Sequence, residues 1–346
     1  MDLFLRRRAL FVLSGLVIIS SIFFYLFLFR PPSGLSSTKI ITVKKGMNLK
    51  KVSALLEEEG IIRSRHLLIG MATLFRKRNE IKAGEYEFHT KMLPTKVLTI
   101  LIKGQVKRHL VTIPEGYTLS QIAQHLEDLN IVKREAFLQK ATSPAFISSL
   151  GLSHPGQPGS LSTLEGYLFP DTYHLVREMA PEEVIRLMVH QFKKVFGTDQ
   201  QSQASQLGIS QSEAVILASI IEKETSLSEE KPLISAVLHN RLRRKIPLQS
   251  DPTVIYGIKN FDGNLTRAHL LKPSPYNTYL TSGLPPTPIC NPGKDSILAA
   301  LHPAPVSYLY FVSKNDGTHH FSSSLVEHNQ AVWKYQKSKK NNLTKR

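Results

Sequence analysis

Residues 41–62 read ITVKKGMNLKKVSALLEEEGII and residues 111–132 read VTIPEGYTLSQIAQHLEDLNIV, an internal repeat at an offset of 70 positions. The copies share Thr42 and Thr112, Gly46 and Gly116, Leu49 and Leu119, Leu56 and Leu126, Glu57 and Glu127, and Ile61 and Ile131. Each opens on an alternating strand pattern and turns at its glycine. Each then runs into a helix whose apolar residues recur at three- and four-residue spacing. The repeated unit is strand, turn, helix. Between the copies, residues 82–88 (KAGEYEF) are expected as a strand and 97–102 as a helix. Residues 181–196 carry a helical pattern through Val184, Ile185, Leu187, Met188 and Phe192. No doubly wound alternation of strands and helices is present, so the expected class is α+β.

Outward from the repeat, residues 9–29 (ALFVLSGLVIISSIFFYLFLF) form a run of 21 residues without a charge. At 1.5 Å per helical residue that length spans a hydrocarbon core. Arg6, Arg7 and Arg8 precede it and Arg30, Pro31 and Pro32 follow, with no A-x-A cleavage site. The expectation is an uncleaved signal anchor, single-pass, with a cytoplasmic N-terminus and the remainder outside the cytoplasmic (inner) membrane. The organisation expected is a tail over 1–8, the transmembrane anchor over 9–29 and a linker over 30–38. The repeat region follows over 39–160, a catalytic domain over 161–335 and a basic tail over 336–346. The proline- and glycine-rich loop 154–160 marks the boundary between the last two domains.

The formal net charge is +17, which calls for an anionic neighbour. Nucleic acid is not expected, because no recognition module accompanies the charge. The single cysteine, Cys290, excludes an intrachain disulfide framework and a cysteine-based zinc site. No phosphate-binding glycine loop, metal site or cofactor is expected.

Residues 214–225 read AVILASIIEKET and place Glu222 at the end of an almost wholly apolar helix. Burial and the partial negative charge of a helix C-terminus both favour a protonated carboxyl. Such a group suits a general acid that breaks glycosidic bonds. Ser210 and Glu213 form a capping box that starts the helix. Ala214, Val215, Ala218 and Ser219 lie below Glu222 on its face, small enough to admit a neighbouring element. Lys223 and Glu224 are expected to point away into solvent. Further on, 248–257 (LQSDPTVIYG), 275–279 (PYNTY), 283–286 (GLPP) and 289–293 (ICNPG) form a long stretch rich in Pro, Asn and Tyr. A stretch of this kind is costly to order unless it shapes a site. Its aromatic faces and amides suit sugar recognition, which makes Gln249, Asp251, Thr253, Tyr256, Tyr276, Asn277, Thr278, Tyr279 and Asn291 candidate substrate-binding residues, together with Glu165. His302, before Pro303, reads as structural.

The opening VKKGMNLKKVSALL resembles a LysM module, a small βααβ unit that binds N-acetylglucosamine polymers. Across nearly the whole chain, EGYLFPDTY (165–173), ASIIEKET (218–225), LQSDPTVIYG, YNTY and GLPPTPICNPG resemble the YceG-like family, the endolytic murein transglycosylases. That resemblance implies a LysM-like subdomain, an α+β catalytic subdomain and a membrane anchor. It also implies a catalytic acid at the first Glu of EKET, here Glu222. It further implies cleavage of the MurNAc-β-1,4-GlcNAc bond in peptidoglycan glycan strands without water, beside the peptidoglycan synthases. Two alternatives stay open. One is a lysozyme-type hydrolase, which needs a second carboxylate drawn from Asp251, Glu165, Asp171 and Glu224. The other is a membrane-tethered scaffold that binds glycan without cutting it.

Overall fold

The computed structural model describes residues 2–28, 37–152 and 161–338. The chain forms two compact units, Met1–His109 with His174–Glu178, and Leu110–Tyr173 with Met179–Arg346. Helices and short antiparallel strands are mixed in both, in keeping with the α+β class.

In the first unit, α1 (Asp2–Leu28) precedes β1 (Thr38–Val43), α2 (Leu49–Glu58), α3 (Arg65–Leu74), β2 (Gly84–His89) and α4 (Pro94–Lys103). β1 and β2 pair antiparallel, Ile41 opposite Tyr86 and Thr38 opposite His89. The alternation of β1 sends Ile41 and Val43 inward, where they join Val52, Leu56, Leu68, Tyr86, Phe88 and Leu101 in one core. The strand expected at 82–88 and the helix expected at 97–102 correspond to β2 and α4.

The side chains of α1 are described over residues 11–25. There Phe11, Val12, Leu16, Ile19 and Phe23 are all exposed. Among the described residues no helix is long and apolar enough to cross a membrane. Residue 29 at the end of the expected anchor, most of the linker and the tail beyond residue 338 lie outside those residues.

The second unit contains most of β3 (His109–Thr112), α5 (Leu119–Asp128), α6 (Arg134–Ala141), α7 (Pro144–Ser149), the first half of β4 (Thr172–Leu175), α8 (Pro181–Val195) and α9 (Thr198–Gln206). It continues with α10 (Gln211–Glu224), α11 (Lys231–Arg243), α12 (Asp251–Tyr256), α13 (Arg267–Leu271), α14 (Lys294–Leu301), β5 (Tyr310–Ser313), β6 (His319–Ser322) and α15 (Leu325–Val332). A π-helical turn, Trp333–Lys337, follows. β3 pairs with β4, and β5 with β6. The domain boundary expected in 154–160 lies outside the described residues. The second repeat groups with residues of 161–335 rather than with the first repeat.

The repeat is real in three dimensions, and its shared residues have the same tasks. Gly46 and Gly116 adopt φ of 86° and 75°, a region that L side chains rarely occupy. Asn48 and Thr118 then cap α2 and α5, accepting from the backbone N–H of Lys51 and Gln121. Leu56 and Leu126 are fully buried. The shared Glu57 and Glu127 each reach the next helix, accepting from Arg65 N at 3.0 Å and Arg134 N at 3.2 Å. Those bonds satisfy N–H groups at the start of α3 and α6 that have no partner within their helices.

Candidate active site

The capping box expected at Ser210 is formed: Ser210 N donates to Glu213 Oε2 at 2.7 Å and Glu213 N to Ser210 Oγ at 3.2 Å. α10 then runs buried from Ala214 to Ile221 and is packed by α11 and α14. The small residues below Glu222 admit the segment after Pro288. Ile289 N donates to Ser219 Oγ at 3.0 Å, and the buried Cys290 thiol lies 3.3 Å from Ser219 O. Burial pushes that thiol well above its ordinary range.

At the end of α10 the Glu222 side chain is only 9% exposed. Its Oε2 accepts three hydrogen bonds, from Ser296 Oγ at 2.6 Å, Gly293 N at 3.1 Å and Lys231 Nζ at 3.3 Å. Ser296 and Gly293 belong to the start of α14, so the negative end of α10 meets the positive end of another helix. Lys231, the first residue of α11, is 4% exposed along its side chain. Burial and a helix end were legible in the sequence; this nearly buried counterion was not.

The second repeat supplies the adjoining wall. A Cβ at Gly116 would stand 3.6 Å from Glu222 Cγ. Gly116 N donates to Asn291 O at 2.9 Å, and Lys223 Nζ donates to Gly116 O at 3.1 Å. Lys223 is exposed, as expected, and this bond ties its end to the turn. Beside Gly116, the Glu115 carboxyl packs so tightly on Gly293 that a Cβ there would overlap Glu115 Cδ. Gly293 has φ −75°, within reach of any residue, and what crowds it is the far end of the exposed Glu115 side chain.

Glu165 is 2% exposed and lies behind this wall. Leu119 N, at the start of α5, donates to both of its oxygens at 2.9 and 3.1 Å; Asn291 Nδ2 and Tyr256 OH add bonds of 2.9 and 3.0 Å. Burial pushes its carboxyl up to about 7, against the pull of those donors. Asn291 is itself fully buried, and its Oδ1 accepts from Leu168 N. Glu165 and Asn291 therefore knit the second repeat to the loop that carries Gly293.

The remaining sequence candidates fall into three groups. Thr253, Asn277 and Thr278 are fully buried, and their polar atoms are engaged inside the loop. Thr253 Oγ1 lies 2.8 Å from Thr278 Oγ1, Ser250 N donates to Thr278 Oγ1, and Asn277 Nδ2 donates to Leu270 O and Lys272 O. These side chains hold the loop's shape. The half-buried Tyr256 and Tyr276 rings meet edge to face at 5.0 Å, and Tyr276 OH bonds Thr287 Oγ1.

Gln249, Asp251 and Tyr279 line a cavity of about 480 Å³ with Glu224, Arg241, Tyr310 and His319; Glu222 is not among its lining residues. Tyr279 OH donates to Asp251 Oδ1 at 2.6 Å, and Arg241 Nη2 donates to Gln249 Oε1. Glu224, expected in solvent, instead accepts from Ser250 Oγ at 2.5 Å. Burial, with a further push from Asp251, raises its carboxyl to about 7. Residues two positions apart on a helix do not face each other, so Glu222 and Glu224 serve different surroundings. Asp251 keeps company with Glu224. Sequence reading passed over Lys231, Ser296 and Glu115. The signal for Glu115 was present: the first repeat has Lys45 at the matching position.

Among the described residues no cluster of His, Cys, Asp and Glu fits a metal ion. The family model of the YceG-like family matches residues 41–334. The endolytic murein transglycosylase of Bacillus subtilis (strain 168) is 31% identical over 312 residues, 88% of this chain and 86% of the relative. That of Streptococcus pneumoniae serotype 2 (strain D39) is 30% identical over 337 residues; the match takes in 90% of this chain but only 61% of the longer relative. A crystal structure of a yceG-like protein from Listeria monocytogenes superposes with a TM-score of 0.59 at 30% identity, over 86% of this chain and 99% of that one. The extent of these matches, over both repeats and the Glu222 site, places the chain in the YceG-like family.

Proposed function

We propose that the protein is an endolytic lytic transglycosylase of peptidoglycan, with Glu222 as its acid and base. The observation that carries this reading is the nearly buried Glu222 carboxyl at the end of α10, with three donors gathered on Oε2. That arrangement fixes the group and leaves Oε1 to handle the proton. The names of the B. subtilis and S. pneumoniae relatives support it.

In the proposed reaction Glu222 protonates the bridging oxygen as the bond from C1 of N-acetylmuramic acid to N-acetylglucosamine breaks. The C6 hydroxyl of the same muramoyl residue attacks C1 and gives its proton to Glu222, closing a 1,6-anhydro ring. No water is consumed and the carboxyl ends as it began. One carboxyl group suffices because the nucleophile belongs to the substrate, whereas a hydrolase needs a second to activate water or attack C1.

The apolar run 9–29 is the proposed single-pass anchor in the cytoplasmic membrane. The exposed apolar side chains all round α1 from Phe11 to Tyr25 suit lipid. Such a tether confines cutting to glycan near the membrane, beside the synthases that make it. The strand–helix–helix–strand order from β1 to β2 is that of a LysM-like unit, offered here as a glycan contact. Tyr256, Tyr276 and Tyr279 are the aromatic residues proposed to meet sugar.

The test is digestion of purified peptidoglycan by the full chain in detergent, beside Glu222→Gln, with products read by mass spectrometry. Ends carrying 1,6-anhydromuramic acid, absent with the variant, are the expected result. Reducing ends from the wild type indicate hydrolysis instead. Binding without cleavage by the folded protein indicates a scaffold.

A further inference from the structure

We propose that His319, held in place by Glu230, is a further substrate-binding residue, whose free ring nitrogen bonds a hydroxyl or acetamido group of the glycan strand in the cavity that Gln249, Asp251 and Tyr279 line. The inference rests on the transglycosylase reading above and extends it to two residues which that reading does not use.

His319 opens β6, opposite Ser313 at the end of β5. The sequence offers two histidines in a row there, and successive residues of a strand face opposite sides. The ring of His320 turns to Tyr335 at 5.7 Å, whereas His319 lines the cavity. Its placement is fixed from both backbone and ring: His319 N and Nδ1 donate to the two oxygens of Glu230 at 2.8 and 2.7 Å. The two side chains are 13% and 10% exposed, so this is a built pair and not a mobile surface one. Phe311 meets the imidazole edge to face at 5.5 Å.

With Nδ1 committed to a carboxylate, Nε2 is what the ring has left to offer. It accepts a hydrogen bond when the imidazole is neutral and donates one when it is charged, so the contact stands in either state. Hydroxyl and acetamido groups can answer both. The rest of the wall suits the same guest. Tyr279 and Phe311 supply aromatic surface, and His328 brings a buried Nδ1 that has no hydrogen-bond partner among the described residues. Buried polar atoms are almost always paired, so an exception on a cavity wall marks a place for a polar guest. Arg241 does not make this an anion site, because its guanidinium is spent on Pro247 O, Leu309 O and Gln249 Oε1. With Glu224 and Asp251 also on the wall, the cavity fits an uncharged sugar better than a carboxylate of the stem peptides.

Glu230 and Lys231 are consecutive, at the start of α11. One holds His319 at the cavity and the other holds Glu222. The same turn of chain therefore ties the proposed binding residue to the proposed acid.

The experiment measures cleavage of soluble glycan strands by the full chain in detergent, wild type beside His319→Ala, His319→Gln and Glu230→Gln, with Tm recorded for each. Binding of chitotetraose is followed by calorimetry in parallel and needs no cleavage. In His319→Ala KM rises about tenfold with a smaller change in kcat, as expected when a hydrogen bond made alike in ground and transition states is lost. His319→Gln, whose amide can stand where Nε2 stood, recovers most of the affinity. Glu230→Gln, which keeps one acceptor for the ring, raises KM less than His319→Ala. Affinity for chitotetraose falls in step with the rise in KM. An unchanged KM in a folded His319→Ala overturns the proposal, and so do losses that track Tm across the three variants, which mark a structural role. Failure of the underlying reading has its own signature: a wild type without cleavage, or a Glu222→Gln variant that cuts as well as wild type. The calorimetry then decides on His319 alone, and no difference in chitotetraose binding between wild type and His319→Ala overturns its role.

Discussion

Lys231 Nζ stands 3.3 Å from Glu222 Oε2, and the two side chains are 4% and 9% exposed. An ion pair this well covered is stabilising only while both partners are present. Replacing Lys231 with Met leaves a carboxylate without its cation, at a cost of about 3 kcal/mol in folding free energy near pH 8. Urea unfolding of the variant beside wild type checks the loss.

Glu222→Gln keeps the shape of the side chain and removes the transferable proton. Cleavage is expected to fall by about three orders of magnitude, with glycan binding retained. Single-turnover rates beside a pull-down on insoluble peptidoglycan separate the two effects. Parallel loss of binding would point to an unfolded site instead.

Gly293→Ala is expected to push the Glu115 carboxyl aside at little cost, because the new Cβ meets only the far end of an exposed, flexible side chain. Its stability should stay within about 0.5 kcal/mol of wild type. A larger loss in thermal unfolding that Glu115→Ala does not relieve in a double-mutant cycle would mean that the strain lies elsewhere.

Glu165 and Glu224 each titrate at about 7 in the folded protein against an ordinary 4.5. Between those values the folded state holds protons that the unfolded chain has released. Stability from these two groups is therefore fully present below pH 4.5 and is lost as pH rises through 7. Glu165→Gln and Glu224→Gln should each flatten the fall in Tm between pH 5 and pH 8. An unchanged slope in both variants would contradict the buried titration.

Local order was the legible part of this chain. The glycine turns, the caps at Asn48, Thr118 and Ser210, and the buried run of α10 all depend on residues within four positions of one another. Glu222 could be singled out for the same reason. Its surroundings could not, because Gly293, Ser296 and Glu115 are brought to it from distant stretches of sequence. Glu224 was misplaced in solvent on the strength of its neighbours in sequence, although Ser250 covers it from another loop. The amides of Asn277 and Asn291 suited sugar recognition by type. Packing instead set them to capping backbone groups, Asn277 within its own loop and Asn291 across the chain between Tyr117 O and Leu168 N.

The turn of the second repeat borders Glu222, and its helix α5 gives Leu119 N to Glu165. This has a practical consequence for dissecting the protein. A fragment cut at the glycine- and proline-rich loop after residue 152 begins without Glu115, without the Gly116 turn and without the amide that holds Glu165. Any minimal catalytic fragment must start ahead of residue 110, so the natural seam of this protein runs through the middle of its duplication rather than after it.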